Sequence, residues 1–406
     1  MIDEKIRIMH ILPHVAAGGA TLAALELATG FDPARYEVSM AVGPQFGGEN
    51  SVLHEIHARG IETHMLPHMS REPDLRRDMR ALIELTGAIQ RCRPHVVHTH
   101  GSKPKLLTAV AAAIGSVPVR IAHLWGWEWM PVEGRVQRCA CRWASRLSAL
   151  GYDAMIACSE AMQEQGLTRG IGRTEQYEVA FPGVDAVRFS PDGRGLARRN
   201  VRAEFGLPMD APLAISVMRL APQKAPEVLL RAASLLADSI PRLHWLIVGG
   251  GPLEHEVCET VAALGLRERV TLAGPRWDIA QLMKASDLFA LASRWEPFGI
   301  VYLEAAATGL PVVGTAVDGA VEAVNHGTTG LLVPPERPNE LAEAVMRVAT
   351  DGVLAQRLGD AGVRHARHFS HERFFGSVGA VYQRLLANKL GWQFDRQETS
   401  LPQAAS

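Results

Sequence analysis

The chain has 406 residues, 47% of them hydrophobic and 21% charged, with a formal net charge of −1. That length exceeds one ordinary hydrophobic core and predicts two domains. So balanced a charge excludes a general affinity for nucleic acid, and no stretch approaches the roughly 20 apolar residues of a membrane span.

From the N-terminus, 6–12 reads as a buried strand, followed by Gly18-Gly19 and a helical stretch over 22–29. Further strands are expected at 37–42, 61–66, 95–98, 119–122 and 154–157, with helices between them such as 75–91 and 105–114. After Phe181-Pro-Gly-Val-Asp185 the pattern begins again, with strands at 213–218, 244–248, 270–273, 288–290, 312–314 and 330–333. Near-continuous apolar strands alternating with helices predict parallel sheets covered on both faces. The expected class is therefore α/β, with two Rossmann-like domains, 1–185 and 186–370, facing each other across a cleft. A helix over 371–390 is expected to pack back on the first domain, and 391–406 to form a disordered tail. Cys92, Cys139, Cys141, Cys158 and Cys258 make no C-x-x-C pair and read as structural thiols of a reducing compartment. The N-terminus enters a strand without a signal-peptide core, so the expected location is cytoplasmic.

The most informative stretch is Ser293-Arg-Trp-Glu296-Pro-Phe298-Gly299-Ile300-Val-Tyr-Leu-Glu304. Pro297 and Gly299 suit a bend into a helix N-terminus, where unpaired N–H groups bind phosphate. A carboxylate on either side of such a seat points to hydroxyls flanking a diphosphate, as in a nucleotide sugar. Eight residues of helix put the two glutamate Cα atoms ~12 Å apart and ~80° around its axis. That exceeds the separation glycosidase carboxylates need, roughly 5–9.5 Å. Two solvated glutamates on an amphipathic helix are the plainer alternative. Arg219 and Lys224 follow the strand over 213–218, where two cations can neutralise a diphosphate in place of a divalent metal. Gly249-Gly250-Gly251 follows the next strand and permits close backbone approach, as does Gly18-Gly19.

Taken together these motifs resemble retaining glycosyltransferases of the GT-B fold, family four. The Glu-x7-Glu signature is Glu296 with Glu304, and the Arg-x4-Lys pair is Arg219 with Lys224. Val248-Gly-Gly-Gly-Pro252 and Gly327-Thr-Thr-Gly-Leu-Leu-Val333 fit as well, so the resemblance covers about residues 6–390. It implies that Arg219 and Lys224 hold the donor diphosphate, Glu304 the ribose and Glu296 the transferred sugar. Gly18, Gly19, Gly249, Gly250 and the backbone at Phe298, Gly299 and Ile300 complete the donor site. His123, ending a strand, is implied near the reacting carbon, and His98, His100, Lys103 and Trp125 on the acceptor side. Three positions depart from the pattern: Asp318 and Ala225 stand where glycine is usual, and Pro182 where asparagine is.

The resemblance implies a UDP-linked sugar donor, a glycan or polyprenyl-linked acceptor, front-face displacement, no cofactor and no metal. Arg135, Arg138, Arg142 and Arg146 recur at helical spacing beside Trp125, Trp127 and Trp129. They read either as a solvated basic face or as a patch for peripheral contact with the inner face of the plasma membrane. A sugar-nucleotide epimerase of the same fold, a transferase for a small soluble acceptor and a non-catalytic binding subunit are the rivals.

Overall fold

Short apolar strands separated by helical stretches are best buried as a parallel sheet with helices on both faces, and the chain forms two such sheets. The computed structural model describes residues 4–13, 19–44, 51–69, 74–132 and 134–394. It divides into two compact units, 1–182 with 371–406, and 183–370. The residues expected to form a tail lie, from 395 onward, outside the described residues.

In the first unit the strands are β1 (Ile6–Leu12), β2 (Tyr36–Val42), β3 (Glu62–Met65), β4 (Val96–His100), β5 (Val119–Leu124), β6 (Ala154–Ala157) and β7 (Tyr177–Val179). They pair in the order β3-β2-β1-β4-β5-β6-β7, every pair parallel. In the second unit they are β8 (Leu213–Val217), β9 (His244–Val248), β10 (Val270–Gly274), β11 (Leu288–Ala290), β12 (Val312–Thr315) and β13 (Gly330–Val333). Their order is β10-β9-β8-β11-β12-β13, again all parallel.

Apart from β7, one winding pattern is used twice. The chain runs outward to one edge, then returns to the other side of its first strand. The reversal lies between β1 and β4 in the first unit and between β8 and β11 in the second. Ligands of such sheets bind outside the carboxyl ends of the strands at that point.

Strand alternation decides which residues share a face. Ile6 and Ile8 of β1 enter one buried cluster with Val96, Val119 and Ile121, while Met9 and Ile11 enter another. The first cluster is closed by Phe374, Val378, Tyr382 and Leu386, which lie four apart on the helix His371–Leu390. This helix therefore belongs to the packing of the first unit, although it follows the whole second unit in sequence. Lys389 Nζ fixes its end, donating to Asp153 Oδ1 at 2.6 Å and to the Pro118 carbonyl at 2.8 Å. By the same alternation His10, His98, His100 and His123 fall on the face that this helix covers.

Candidate functional site

The loops leaving β8 and β11 emerge beside one another because the two strands are paired, Leu288 with Ala214 and Phe289 with Ile215. After β8 a short 3₁₀ turn, Pro222–Lys224, leads through Ala225 into the helix Pro226–Leu235. Ala225 sits at φ 45°, where glycine is at ease and an alanine costs ~1 kcal/mol. Arg219 lies on this loop and is exposed, and Lys224 is largely shielded.

Lys224 Nζ is ion-paired with Glu296 Oε2, and the two side chains are 14% and 8% exposed. Ser293 Oγ donates to the same Oε2 at 3.1 Å. The Glu296 backbone N–H donates to Asp318 Oδ2 at 3.0 Å, and Gly319 N–H to the Glu296 carbonyl at 3.0 Å. The two loops are also tied through the backbone: Arg294 N–H donates to the Gln223 carbonyl at 2.8 Å, and Gln223 Nε2 to the Trp295 carbonyl at 3.1 Å. Glu296 is thus gripped at both its side chain and its main chain. Ser293 was not among the expected site residues, and Asp318 was singled out only as a departure where glycine is usual; its φ of 39° is the reason glycine suits that position.

The structure corrects the expected geometry of the two glutamates. The helix is Ile300–Ala307, so Glu296 stands in the bend before it and only Glu304 is on it, half-buried at the fifth position. The helical distance between the two therefore does not apply. Gly299 caps the helix at φ 87°, and a Cβ there would meet the Tyr302 ring at 2.6 Å and Glu296 Cγ at 2.9 Å. Phe298 is buried and packs 5.6 Å from Phe369, so only its backbone is available at the helix start.

The glycine run after β9 has a cause within the protein. A Cβ on Gly249 would lie 1.9 Å from the Met218 carbonyl, and one on Gly251 2.4 Å from that of Leu220. Leu220 N–H donates to the Gly250 carbonyl at 3.0 Å. The run therefore shapes the Arg219 loop by letting the two chains touch. Gly19 is exposed at the start of the helix Gly19–Thr29, while Gly18 lies outside the described residues.

In the first unit the reversal point is lined with histidines. Alternation and register bring together His10 of β1, His98 and His100 of β4, and His123 of β5. His10 Nδ1 is 2.9 Å from His100 Nε2, and His123 Nδ1 is 3.2 Å from His98 Nε2. The Tyr382 hydroxyl of the C-terminal helix lies 2.6 Å from His98 Nδ1, and Trp125 Nε1 donates to His100 Nδ1 at 3.2 Å. Trp125 also stacks flat on His123, with ring centres 4.0 Å apart. Burial pushes His10 and His123 down to about 3. His98 and His100 are held well below the usual histidine range, by burial first and by neighbouring histidines second. Lys103 lies in the helix Ser102–Ile114, and its side chain is outside the described residues.

Ligating atoms of His10, His98 and His100 lie within 4.8 Å of one another, as do those of Glu62, His64 and Cys92. In the second group burial pushes the Cys92 thiol up, which disfavours the thiolate a metal requires.

The expected aromatic rim is corrected as well. Trp127 and Trp129 are buried, stacked on each other with ring centres 4.6 Å apart, and Trp127 Nε1 donates to the Met162 carbonyl. Arg138 and Arg146 of the helix Arg135–Ala149 donate to the carbonyls of Val132 and Arg169. Large indoles close to the sheet gain more by burial than at a surface. The side of this helix that is exposed instead carries Val136, Trp143 and Leu147, with Leu150 just beyond its end. Among the described residues no helix is long and apolar enough to cross a membrane.

Two family models match the chain. The model described as glycosyl transferase 4-like domain covers residues 18–183, and the one described as glycosyl transferases group 1 covers 197–365. Residues 197–365 belong to the group 1 glycosyltransferases, and the two models together span most of the chain. Its fold is GT-B: the chain superposes on Anabaena Alr3699/HepE, solved with UDP and glucose, at a TM-score of 0.79. That match covers 92% of this chain and 98% of the other at 23% identity. Sucrose-phosphate synthase from Thermosynechococcus elongatus matches at a TM-score of 0.77 and 22% identity, over 94% of this chain and all of its own. In sequence the chain is 40% identical to D-inositol 3-phosphate glycosyltransferase of Actinosynnema mirum over 241 residues, 57% of each chain. It is 35% identical to the enzyme of that name from Streptomyces bingchenggensis over 243 residues, 57% of this chain and 52% of the other. The chain thus spans just over half the length of these relatives.

The buried histidines make stability depend on pH. Unfolded, each takes up a proton near its ordinary value of 6.5, whereas folded His10 and His123 stay neutral down to about 3. Below about pH 6.5 the unfolded chain therefore binds more protons, and stability falls as the solution is acidified. These two groups alone give a slope of about 2–3 kcal/mol per pH unit near pH 5. Urea unfolding at pH 7, 6 and 5 should show it, and a flat profile would mean that the rings are protonated in the folded protein.

Proposed function

We propose that the protein transfers a hexosyl or N-acetylhexosaminyl group from a UDP-linked sugar to a hydroxyl of a glycan or lipid-linked acceptor in polysaccharide biosynthesis. Transfer proceeds with retention of configuration and needs no metal. The observation that carries this reading is the Lys224–Glu296 pair at the reversal point of the second unit, supported by Ser293 and Asp318. Choice of UDP is supported by the solved complexes of Alr3699/HepE with UDP and with UDP-glucose. A role in polysaccharide assembly is supported by the likeness to WaaG, described as a glycosyltransferase involved in lipopolysaccharide biosynthesis.

On this reading Lys224 exchanges part of its bond to Glu296 for a diphosphate oxygen. With Arg219 and the N-terminus of the helix Ile300–Ala307, it stabilises the charge that develops as the leaving group departs. Both side-chain bonds of Glu296 use Oε2, which leaves Oε1 for hydroxyls of the transferred sugar. A carboxylate already satisfied by an ammonium and a hydroxyl is a weak nucleophile. Attack by the acceptor hydroxyl on the leaving-group face then accounts for retention without a covalent intermediate. Glu304, more than one turn along the helix, takes the ribose hydroxyls. In the first unit His123 keeps the role near the reacting carbon that the family resemblance gives it, with His98, His100 and Trp125 on the acceptor side.

The acceptor has two readings. A lipid-linked acceptor is supported by the exposed row Val136, Trp143, Leu147 and Leu150, flanked by Arg135, which suits peripheral contact with an anionic bilayer. A soluble polyol phosphate is supported by the names of the curated relatives, D-inositol 3-phosphate glycosyltransferases.

Replacing Lys224 by Ala should lower turnover of UDP-sugar by roughly 10²–10³, the scale of one lost electrostatic stabiliser. Near-wild-type turnover in that variant would contradict the assignment. Co-sedimentation with anionic vesicles separates the acceptors. The lipid-linked reading expects binding at low salt that is lost in a Trp143→Glu/Leu147→Glu protein, and unchanged partitioning between the two proteins favours the soluble acceptor.

A further inference from the structure

Two runs of hydrogen bonds pass through the buried histidines, and in one of them chemistry fixes every proton. An indole N–H only donates. Trp125 Nε1 therefore makes His100 Nδ1 an acceptor. A neutral His100 then carries its proton on Nε2, which must donate to His10 Nδ1, 2.9 Å away. His10, also neutral, is left with its proton on Nε2. That nitrogen is buried and has no hydrogen-bond partner among the described residues. Leaving a buried donor unpaired is destabilising, so a residue in this state is either a liability or a binding contact.

Place decides between the two. His10 lies on β1 directly beside β4, at the winding reversal of the first sheet, in the carboxyl-terminal half of its strand. A histidine in a strand that is apolar but for Arg7, Ile-Arg-Ile-Met-His-Ile-Leu, has no packing advantage over Leu or Met.

We propose that His10 Nε2–H is a binding contact for an oxygen of the acceptor substrate, either a sugar or polyol hydroxyl or a phosphoryl oxygen. Trp125 and His100 are then positioning residues that set its proton. The inference rests on the first unit being the acceptor-binding one. A metal held by His10, His98 and His100 is the competing use of the same atoms. It would need a lone pair on His100 Nε2, which the Trp125 bond excludes in a neutral ring.

The test uses the full chain labelled with ¹⁵N-histidine, observed through its ring nitrogens at pH 7. His100 and His10 should both appear as Nε2–H tautomers. In a Trp125→Phe protein, which keeps the flat ring on His123 but has no N–H, the two rings should become tautomer mixtures. Inorganic phosphate, D-inositol 3-phosphate and glucose are then added separately to the wild type. A shift of the His10 Nε2–H with the two phosphates alone identifies a phosphoryl oxygen, and a shift with glucose identifies a hydroxyl. A His10→Leu protein should raise the acceptor KM by about 5–10-fold, the loss of one hydrogen bond, with little change in kcat. An Nδ1–H tautomer at His10, a response to zinc alone, or no shift with any of the three probes overturns the proposal. If the probes shift His10 but no sugar is transferred from any UDP-sugar, the transferase reading fails and the His10 site stands.

Discussion

The second unit is organised around one bond, the pairing of Lys224 with Glu296. It joins the loop leaving β8 to the loop leaving β11, strands that are neighbours only because the chain doubles back across its first strand. Burying such a pair is costly unless further hydrogen bonds satisfy it. Ser293 supplies one at the carboxylate, and Asp318 holds the backbone of Glu296. The result is a cation and an anion held in position before any ligand arrives, at the place where a wound parallel sheet offers its binding site. Preorganisation of this kind is what makes charge stabilisation effective, since nothing has to reorient when charge develops.

The first unit solves the same problem with neutral groups. Four buried imidazoles and a buried phenol, all neutral at neutral pH, meet a half-buried indole at its own reversal point. Neutral donors and acceptors suit hydroxyls, whereas the cations of the second unit suit a diphosphate. The chemical contrast between the two sheets matches the division of labour proposed for them.

Much of this was legible in the sequence, for definite reasons. Strands such as His244–Val248 and Leu288–Ala290 fall where expected because buried parallel strands are apolar throughout and bounded by turns. Strand Tyr177–Val179 escaped because three residues with a central glutamate carry no period. Glu296 was placed on a helix because proline and glycine mark a bend without fixing which side of it a residue falls on. Trp127 and Trp129 read as surface residues beside arginines, but a run of tryptophans does not reveal which rings face inward. His10 and Tyr382 could not be joined to His98 from the sequence at all. One depends on β1 lying against β4, and the other is 284 residues away on a helix that returns to the first unit.

The central claim, that Arg219, Lys224 and a helix N-terminus together hold a diphosphate without a metal, is tested most directly by titrating UDP into the protein in excess chelator. Calorimetry should show saturable one-site binding that weakens as salt rises, with UMP bound about tenfold less tightly for want of the second phosphate. Binding that appears only after a divalent cation is restored, or equal affinity for UDP and UMP, would contradict it.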